Sequence, residues 1–349
     1  MLRFLIVGYG VMGVRHAQEL RESGLGGVAA VYDADPLRRQ AAAGAGFAVC
    51  DSLGALLDVP AECALVTTPN DTHTALACAL LGSGRHVLVE KPAAMSADGL
   101  RRMYEAAGAA GKTLCVNQNR RWDRDFIGLR RVIDGGMLGR LTRLESRVQG
   151  SRGLPVGWRR EKARGGGLLY DWGPHLVDQA LLALGGATPE AVDCRMDRVL
   201  GYGVEDGFRL TLTYPGGLTA HIEAATCNYI AMPRFYLCGR DGTAMIDDWR
   251  GPCRVVQCAS WDDGARGATG STGVMTPRGP DTTRSFTLPL QPASRFEALR
   301  NFCAAVRGEE APHVTCRQAM DVMRVLDAAR ASAAAERPVA LKLGIEEWE

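Results

Sequence analysis

The sequence predicts an α/β protein of two domains: a doubly wound parallel sheet, then an α/β domain with a large, mostly antiparallel open sheet. Two observations predict this class. Residues 1–118 alternate short apolar runs with stretches rich in Ala and Leu, which is the pattern of repeated βαβ units. Residues 119–349 contain several segments of alternating polarity, separated by turn signals such as Tyr214-Pro215-Gly216-Gly217. We therefore put the domain boundary between residues 118 and 119.

The first domain is predicted to have five strands and four helices. Runs such as Leu5-Ile6-Val7 and Val87-Leu88-Val89 are apolar on consecutive residues, as in parallel strands covered on both faces. Strands are predicted at residues 2–7, 27–32, 63–67, 86–89 and 113–117. Helices are predicted between them, near residues 12–23, 36–43, 72–82 and 96–111.

The second domain begins with a charged amphipathic helix, predicted at residues 120–134, and a strand at 141–149. A loop rich in Gly and Arg, residues 150–167, leads into an apolar helix that ends near Leu184 before two glycines. Further strands are predicted at residues 191–199, 207–214, 218–226, 235–238, 243–246 and 254–259. A mobile loop over residues 261–284 and closing helices at 294–307 and 316–335 complete the prediction.

The charge and composition exclude several classes of function. The 41 basic and 39 acidic side chains nearly cancel, and no long basic run marks a surface for nucleic acid or an anionic membrane. The N-terminal apolar run is too short for a signal peptide, and no stretch reaches the length of a membrane helix. The eleven cysteines are irregularly spaced and include no C-x-x-C pair, so we expect reduced, mostly buried thiols in a cytoplasmic protein without a metal site.

A glycine-rich turn follows the first predicted strand and opens the first predicted helix. Gly8, Gly10 and Gly13 form G-x-G-x-x-G in the context that a dinucleotide fingerprint requires. Gly8 permits the tight turn, Gly10 lets the backbone approach a pyrophosphate, and Gly13 allows close packing of helix and strand. The N–H groups at the start of the helix, which includes Val11 and Met12, then face the phosphates.

Asp33 strengthens this interpretation because it lies twenty residues beyond Gly13, at the end of the second predicted strand. An acid there accepts hydrogen bonds from the ribose hydroxyls of the adenosine. The same carboxylate repels a 2′-phosphate, so NAD is favoured, while NADP stays open because Arg38 and Arg39 follow closely and can soften the repulsion.

Two further segments point to catalysis. Glu90-Lys91-Pro92 ends the fourth predicted strand, so Lys91 lies at the carboxyl edge of the parallel sheet, where ligands bind in such folds. In the apolar helix, Asp171 and His175 are four residues apart and share a face, and Asp178 is another near neighbour of His175. A histidine oriented by a carboxylate is a common general base near neutral pH.

These three motifs together resemble the Gfo/Idh/MocA family, the group of glucose–fructose oxidoreductase and inositol dehydrogenase. The resemblance spans nearly the whole chain, and Pro174 is its one departure from the commoner Gly-Val-His form. It implies a Rossmann domain followed by a domain with a large open sheet, a nicotinamide cofactor, and a catalytic set of Lys91, Asp171 and His175. It also implies that Glu90, Lys91 and the segment from Thr68 lie beside the cofactor; in that segment the candidates are Thr68, Pro69, Asn70 and His73.

The substrate pocket is predicted from the same resemblance and from the polarity of two segments. Residues 117–123 resemble a segment that helps to form the pocket of sugar and cyclitol dehydrogenases. Side chains there and in the glycine-rich loop offer ligands for hydroxyl groups and a face for ring stacking. The candidates are Asn119, Arg121, Trp122, Asp123, Arg152, Trp158 and Arg159, besides Lys91, Asp171 and His175.

The predicted reaction is hydride transfer between the nicotinamide cofactor and a secondary alcohol or ketone of a sugar or cyclitol, with His175 or Lys91 as the proton acceptor. Two alternatives stay open: a noncatalytic cofactor-binding regulatory module, and an enzyme that recycles tightly bound NAD for internal oxidoreduction or glycoside cleavage. A homodimer or homotetramer is expected, because the free face of the second sheet would expose apolar residues of the segment 207–226.

Overall fold

The computed structural model describes residues 1–185, 187–259, 261, 278 and 280–343. Most of the predicted loop at 261–284 lies outside these residues. The end of that segment belongs instead to a strand, which begins at Thr283.

The first sheet has five parallel strands in the order β2-β1-β3-β4-β5. Every predicted strand is present, with its ends within one residue of the prediction. The strands are β1 (Leu2–Val7), β2 (Gly26–Tyr32), β3 (Cys63–Val66), β4 (His86–Val89) and β5 (Leu114–Val116). The order reverses between β1 and β3, and in open α/β sheets the crevice at such a switch point is where ligands bind.

Both faces of this sheet are buried, as the consecutive apolar residues predict. Phe4 and Ile6 belong to one hydrophobic cluster, whereas Leu5 and Val7 belong to another. The helices of this domain are α1 (Val11–Ser23), α2 (Pro36–Gly44), α3 (Leu53–Leu57), α4 (His73–Gly82) and α5 (Ala97–Ala110). The short α3, capped by the side chain of Ser52, was not predicted.

The helix predicted at residues 120–134 is divided in two. A 3-10 turn covers Asn119–Trp122, and α6 covers Arg124–Asp134. Asp123 separates them because its backbone is extended, with φ −68° and ψ 140°. The break frees the side chains of the 3-10 turn to point away from the axis of α6.

The second sheet has nine strands in the order β13-β12-β11-β10-β6-β9-β8-β7-β14. Its neighbouring pairs are antiparallel except β6 and β9, which are parallel. The strands are β6 (Leu141–Gln149), β7 (Ala191–Asp197), β8 (Gly207–Thr213), β9 (Thr219–Ala225), β10 (Phe235–Gly239), β11 (Gly242–Ile246), β12 (Cys253–Cys258), β13 (Thr283–Leu288) and β14 (Val339–Ala340). The two last strands were not predicted.

The expectation of an exposed apolar sheet face is wrong. In β8, Phe208, Leu210 and Leu212 are buried, and the residues that alternate with them, such as Arg209 and Thr213, are exposed. The apolar residues pack toward α7 (Leu168–Ala183) and α9 (Cys316–Ala335). The opposite face is therefore polar, because the period of a strand puts the two sets of side chains on opposite sides.

The chain returns to the first domain near its end. In α8 (Glu297–Val306), Leu299, Phe302 and Cys303 join the cluster of Phe4 and Ile6, and the rings of Phe4 and Phe302 are 6.2 Å apart. All eleven cysteines fall in the described part of the chain, where none forms a disulfide and five are buried. Within that part, no helix combines the length and the apolar character needed to cross a membrane.

Candidate active site

The glycine turn joins β1 to α1 at the switch point of the parallel sheet. A Cβ on Gly13 would overlap the carbonyl oxygen of Gly8, so only glycine lets α1 approach the strand this closely. Gly8 itself has φ +96°. Val11 is 82% exposed, and no side chain caps the start of α1. The first N–H groups of the helix, from Val11 and Met12 onward, are thus available to phosphate groups.

Asp33 lies directly beside this turn. Its carboxylate accepts hydrogen bonds from the backbone N–H groups of Tyr9 at 2.6 Å and Asp35 at 2.8 Å, which fix its orientation. Arg38 reaches the turn from α2, since a Cβ on Gly10 would lie 2.9 Å from its Nη1 atom. One acid and one base therefore flank the predicted position of the adenosine ribose.

The segment after β3 holds the other side of the crevice. Thr68 contacts Gly8 closely, because a Cβ on Gly8 would lie 2.9 Å from the Thr68 methyl group, and Pro69 follows it. The side chains of Asn70 and His73, both predicted to lie beside the cofactor, make hydrogen bonds within the protein. Asn70 Nδ2 donates to the carbonyl of Gly165 at 2.8 Å.

His73 is fully buried, with its two ring nitrogens each 2.8 Å from a backbone carbonyl, those of Pro92 and Thr68. The imidazole thus ties the segment after β3 to the segment after β4. Its role in the structure is to shape the two loops of the crevice, because neither nitrogen is free for a ligand.

Glu90 is also committed within the protein. Its Oε1 atom accepts from Asn117 Nδ2 at 2.7 Å and lies 2.7 Å from His16 Nε2, and all three residues are buried. The carboxylate therefore joins the ends of β4 and β5 to α1. This leaves the neighbouring Lys91 as the side chain of the Glu-Lys-Pro motif that enters the cleft.

Lys91 meets the second domain at Asp171. Its Nζ atom donates to the carbonyl oxygen of Asp171 at 2.6 Å and to Oδ1 of the same residue at 3.0 Å. Burial alone would raise the pKa of the Asp171 carboxyl, but the positive charges of Lys91 and Arg159 more than offset it and hold that pKa below its usual value. Asp171 is therefore a carboxylate that holds the lysine ammonium.

His175 lies one turn further along α7 and is 5% exposed. Within the described residues its buried Nδ1 atom has no hydrogen-bond partner and no hydrogen bond joins the imidazole to Asp171, so the orientation that the spacing predicts is not seen. Burial, followed by the positive charges of Lys91, Arg120 and Arg234, lowers the pKa of His175 well below its usual value. At neutral pH the imidazole is uncharged and able to accept a proton.

Asp178, the other acid expected near His175, belongs to a buried ion pair. Arg121 donates to its two carboxylate oxygens at 2.8 and 2.5 Å, and the same guanidinium reaches the carbonyl of His313 and the side chain of Gln318. Arg121 is 8% exposed. The prediction that it binds substrate does not fit this arrangement, because its donors are used to join α7 to the C-terminal segment.

The start of α7 is fixed by Glu205. Its carboxylate accepts from the N–H of Leu169 at 3.2 Å, and its backbone carbonyl accepts from Leu168 at 3.0 Å. Gly167 has φ +105°, and a Cβ there would collide with the same carboxylate. The glycine-rich loop thus ends in glycine because the turn that presents Asp171 and His175 leaves no room for a side chain.

A cavity of about 670 Å³ opens beside α7. It is lined by three of the predicted substrate residues, Asn119, Trp122 and Asp123. The other candidates do not line it: these are Arg121, Arg152, Trp158 and Arg159, and the catalytic candidates Lys91, Asp171 and His175. Arg152 is exposed, and Trp158 packs against the guanidinium of Arg159, which lies 4.6 Å from its ring. Arg159 itself is 3.7 Å from Asp171 Oδ1.

Several residues of the site carry no sequence signal that would single them out. The ring of Trp172 is 6.1 Å from that of His175 and 5.8 Å from that of Trp249. The guanidinium of Arg120 lies over both indoles, and that of Arg234 lies 4.4 Å from the ring of Trp249. Strand pairing brings these residues together from distant parts of the sequence, whereas sequence motifs are local.

Comparison with protein families gives matches to both domains. Residues 2–118 match the model described as an oxidoreductase family with an NAD-binding Rossmann fold, and residues 126–245 match the GFO/IDH/MocA C-terminal domain. Among solved structures, an NAD-binding protein from Listeria innocua is 33% identical, with a TM-score of 0.87 over 97% of each chain.

Two curated relatives match most of the chain. A scyllo-inositol 2-dehydrogenase (NADP(+)) of Bacillus subtilis is 29% identical, and the match covers 82% of this chain and 80% of the relative. A 1,5-anhydro-D-fructose reductase of Ensifer adhaerens is 30% identical over 74% of this chain and 73% of the relative. With matches to both of its domains, the chain belongs to the GFO/IDH/MocA family of oxidoreductases, and its first domain is the NAD-binding domain of that family.

Proposed function

We propose that this protein is a dehydrogenase that transfers hydride between a nicotinamide cofactor and a secondary alcohol or ketone of a sugar or cyclitol. The observation that carries the proposal is the meeting of Lys91, from the parallel sheet, with Asp171 on the helix that also holds the uncharged His175. The two relatives above act on a cyclitol and on an anhydro sugar according to their names, which supports this substrate class.

The residues of the crevice fit a dinucleotide. Gly10 leaves the backbone open to a pyrophosphate, because among the described residues only the end of the Arg38 side chain comes within 4 Å of a Cβ placed there. The uncapped start of α1 supplies N–H donors to the phosphates, and Asp33 receives the ribose hydroxyls. Thr68 and Pro69 form the opposite wall. When bound, the cofactor supplies the hydride acceptor or donor.

The proton chemistry belongs to His175 and Lys91. The low pKa of His175 leaves its imidazole free to accept the hydroxyl proton of the alcohol, and to return it to the ketone in the reverse reaction. Lys91 is engaged as a donor, since its Nζ atom donates to the backbone carbonyl of Asp171 and lies 3.0 Å from the carboxylate of the same residue. We therefore assign His175 as the proton acceptor and Lys91 as the donor that stabilises the developing alkoxide.

We propose NAD as the preferred cofactor, with NADP accepted more weakly. The Asp33 carboxylate repels a 2′-phosphate, whereas Arg38 beside it reduces that repulsion. The kcat/KM with NAD should exceed that with NADP, and Asp33→Ser should shift the ratio toward NADP. A wild-type preference for NADP would contradict this assignment.

The proposal is tested with a panel of cyclitols, aldoses, sugar acids and sugar phosphates, offered with NAD and with NADP. Growth of the reduced-nicotinamide absorbance with at least one of them is the expected result. Turnover without release of NADH would favour the recycling of tightly bound NAD. Cofactor binding without hydride exchange with any polyol would leave a regulatory module as the function.

We also propose that the protein forms a homodimer or homotetramer in the cytoplasm. The eleven free thiols agree with a reducing compartment. Because the face of the second sheet away from α7 and α9 is polar, an interface on that face would rely on hydrogen bonds and ion pairs. Light scattering at micromolar concentration should give a mass of two or four chains, and a monomer would refute the proposal.

A further inference from the structure

The cavity lined by Trp172, the neighbour of His175 on α7, has more positive than negative side chains. Its lining includes five arginines but only two aspartates: Arg15, Arg120, Arg124, Arg250 and Arg295 against Asp123 and Asp125. Arg120 pairs with Asp123 at 2.8 Å, and Asp125 lies 3.2 Å from the buried Arg234. Both aspartates are therefore already neutralised.

The remaining arginines differ in how they are compensated. Arg15 pairs with Glu19, and Arg295 pairs with Glu22. Arg124 and Arg250 are exposed, and among the residues that the structure describes neither has a carboxylate within ion-pair distance. Two guanidinium groups thus line one cavity without an ion-pair partner in the described part of the chain, although Asp248 accepts a hydrogen bond from the backbone N–H of Arg250 at 2.7 Å. Positive charges that line one cavity attract an anionic ligand to it.

Arg120 and Trp172 link this cavity to His175. The guanidinium of Arg120 lies 4.5 Å from the ring of Trp172, and that ring lies 6.1 Å from His175. The Nε atom of Arg120 is buried and has no hydrogen-bond partner. Trp172 therefore connects the two regions, because it lines the cavity together with Arg124 and Arg250 and also contacts the imidazole.

We propose that the substrate of this site carries an oxyanion, a phosphate ester or a carboxylate, which Arg124 and Arg250 bind. The inference rests on the proposed function and specifies its substrate class. The sugar or cyclitol ring packs against Trp172 and Trp249, and the anionic substituent extends away from the carbon that reacts. Guanidinium groups suit this role because their planar donors match both phosphate and carboxylate oxygens.

The first experiment compares matched substrates that differ only in the anion. Suitable sets are myo-inositol with its 1-phosphate, and glucose with glucose 6-phosphate and glucuronate. The kcat/KM should be about 10- to 100-fold higher for an anionic member than for its neutral counterpart. A gain confined to the phosphates, or to the carboxylate, identifies which oxyanion the site takes.

The second experiment removes the two unpaired charges together in Arg124→Ala/Arg250→Ala. The KM of the anionic substrate should rise at least tenfold more than the KM of its neutral counterpart. Arg131→Ala is the matched control, since this arginine is exposed on the same helix but does not line the cavity. It should leave both KM values unchanged.

A binding measurement tests the site without turnover. Calorimetric titration with inorganic phosphate should show binding to the wild type and to Arg131→Ala, and at least tenfold weaker binding to the double variant. Equal phosphate affinity in wild type and double variant overturns the proposal. Equal kcat/KM for neutral and anionic substrates also overturns it but leaves the dehydrogenase assignment standing. Failure of every sugar and sugar anion to reduce the cofactor defeats that assignment instead.

Discussion

Lys91 has three ammonium protons, and the structure uses two of them. One is donated to the carbonyl oxygen and one to the carboxylate of Asp171, both on the helix that holds His175. The third proton remains for a ligand. Because two bonds fix the direction of the amine, this donor is oriented before substrate binds, which is the condition for strong stabilisation of an alkoxide.

Substitution of Lys91 or His175 should reduce the rate of catalysis without weakening the binding of the cofactor. We expect Lys91→Met and His175→Ala each to lower kcat by about 100-fold or more, because each removes a donor or acceptor that acts on the developing charge. Titration with NADH, followed by fluorescence, should give a dissociation constant close to that of the wild type. Full activity in either variant would refute the assignment.

The pH dependence follows from the environment of His175. Burial and three nearby cationic side chains lower its pKa well below 6.5, and only the uncharged imidazole accepts a proton. The kcat/KM for alcohol oxidation should therefore fall on the acid side only below pH 6.5 and be level through neutral pH. An acid limb with a midpoint above pH 7, measured over a range of buffers at constant ionic strength, would contradict this assignment.

At this scale the sequence identifies the right residues but not their partners. The spacing of Asp171 and His175 puts them one turn apart, as predicted, yet Asp171 is held by Lys91, which is eighty residues away. Asp178 is likewise held by Arg121. Helical spacing reports only local neighbours, and a long cationic side chain from another element competes successfully for a carboxylate.

Among the helices and strands, α1 and β4 are joined by a buried charged group. His16 lies between Glu90 at 2.7 Å and Glu19 at 3.2 Å, and Asn117 donates to the same oxygen of Glu90. Burial opposes the charge on His16, but the two carboxylates outweigh it and raise its pKa to about 9. The ion pair holds the end of β4 and hence the backbone that leads to Lys91.

Removal of one member of the ion pair between His16 and Glu90 should destabilise the folded protein. We expect His16→Leu to lower the free energy of unfolding by about 3–5 kcal/mol, because it leaves a buried carboxylate with no cationic partner. Urea denaturation measures the loss. The double variant His16→Leu/Glu90→Leu should recover part of it, since no charge is then stranded. A single variant as stable as the wild type would show that the pair adds nothing.

The ion pair between His16 and Glu90 also predicts how the stability lost in His16→Leu varies with pH. Because the folded pKa of His16 is raised from 6.5 to about 9, its stabilisation is complete below pH 6.5 and disappears as the pH rises through 9. The pKa values of Glu19 and Glu90 are lowered in the folded protein. The contribution of these two carboxylates to its stability is therefore lost when the pH falls below about 4.5. The difference between wild type and His16→Leu should therefore be largest near pH 5–6 and small at pH 10.

Element boundaries were predictable where the pattern is simple. Consecutive apolar residues locate the parallel strands to within one residue, because burial on both faces leaves no other place for them. The strand at Thr283–Leu288 was missed because it lies at the edge of the sheet, where Arg284, Ser285 and Thr287 are exposed and only Phe286 and Leu288 supply half-buried apolar side chains. The break at Asp123 was missed because the charged pattern continues across it.

Across the whole molecule, the two sheets are linked through a few buried polar contacts. Gln179 Nε2 donates to the carbonyl of Arg120 at 2.8 Å, and Gln118 donates to that of Pro174. The pair Arg121–Asp178 lies beside them, with side chains 6% and 3% exposed. These contacts set the position of α7 relative to the carboxyl ends of the parallel strands, and therefore the distance between Lys91 and His175.

Loss of the Arg121–Asp178 pair should weaken both the fold and catalysis. Asp178→Ala strands a buried guanidinium, so the free energy of unfolding should fall by about 3–5 kcal/mol. Asp134→Ala is a suitable control because it removes the carboxylate of a solvent-exposed i,i+4 pair with Arg130, and it should cost no more than about 0.5 kcal/mol.

Under conditions where Asp178→Ala remains folded, kcat should fall while the affinity for NADH is retained. The physical reason is that the glycine turn lies wholly within the first domain, whereas the proton acceptor depends on how α7 is held. Equal stability losses in Asp178→Ala and Asp134→Ala, measured by urea denaturation, would mean that apolar packing alone positions the helix. A loss of NADH affinity as large as the loss of kcat would instead mean that the pair supports the first domain itself.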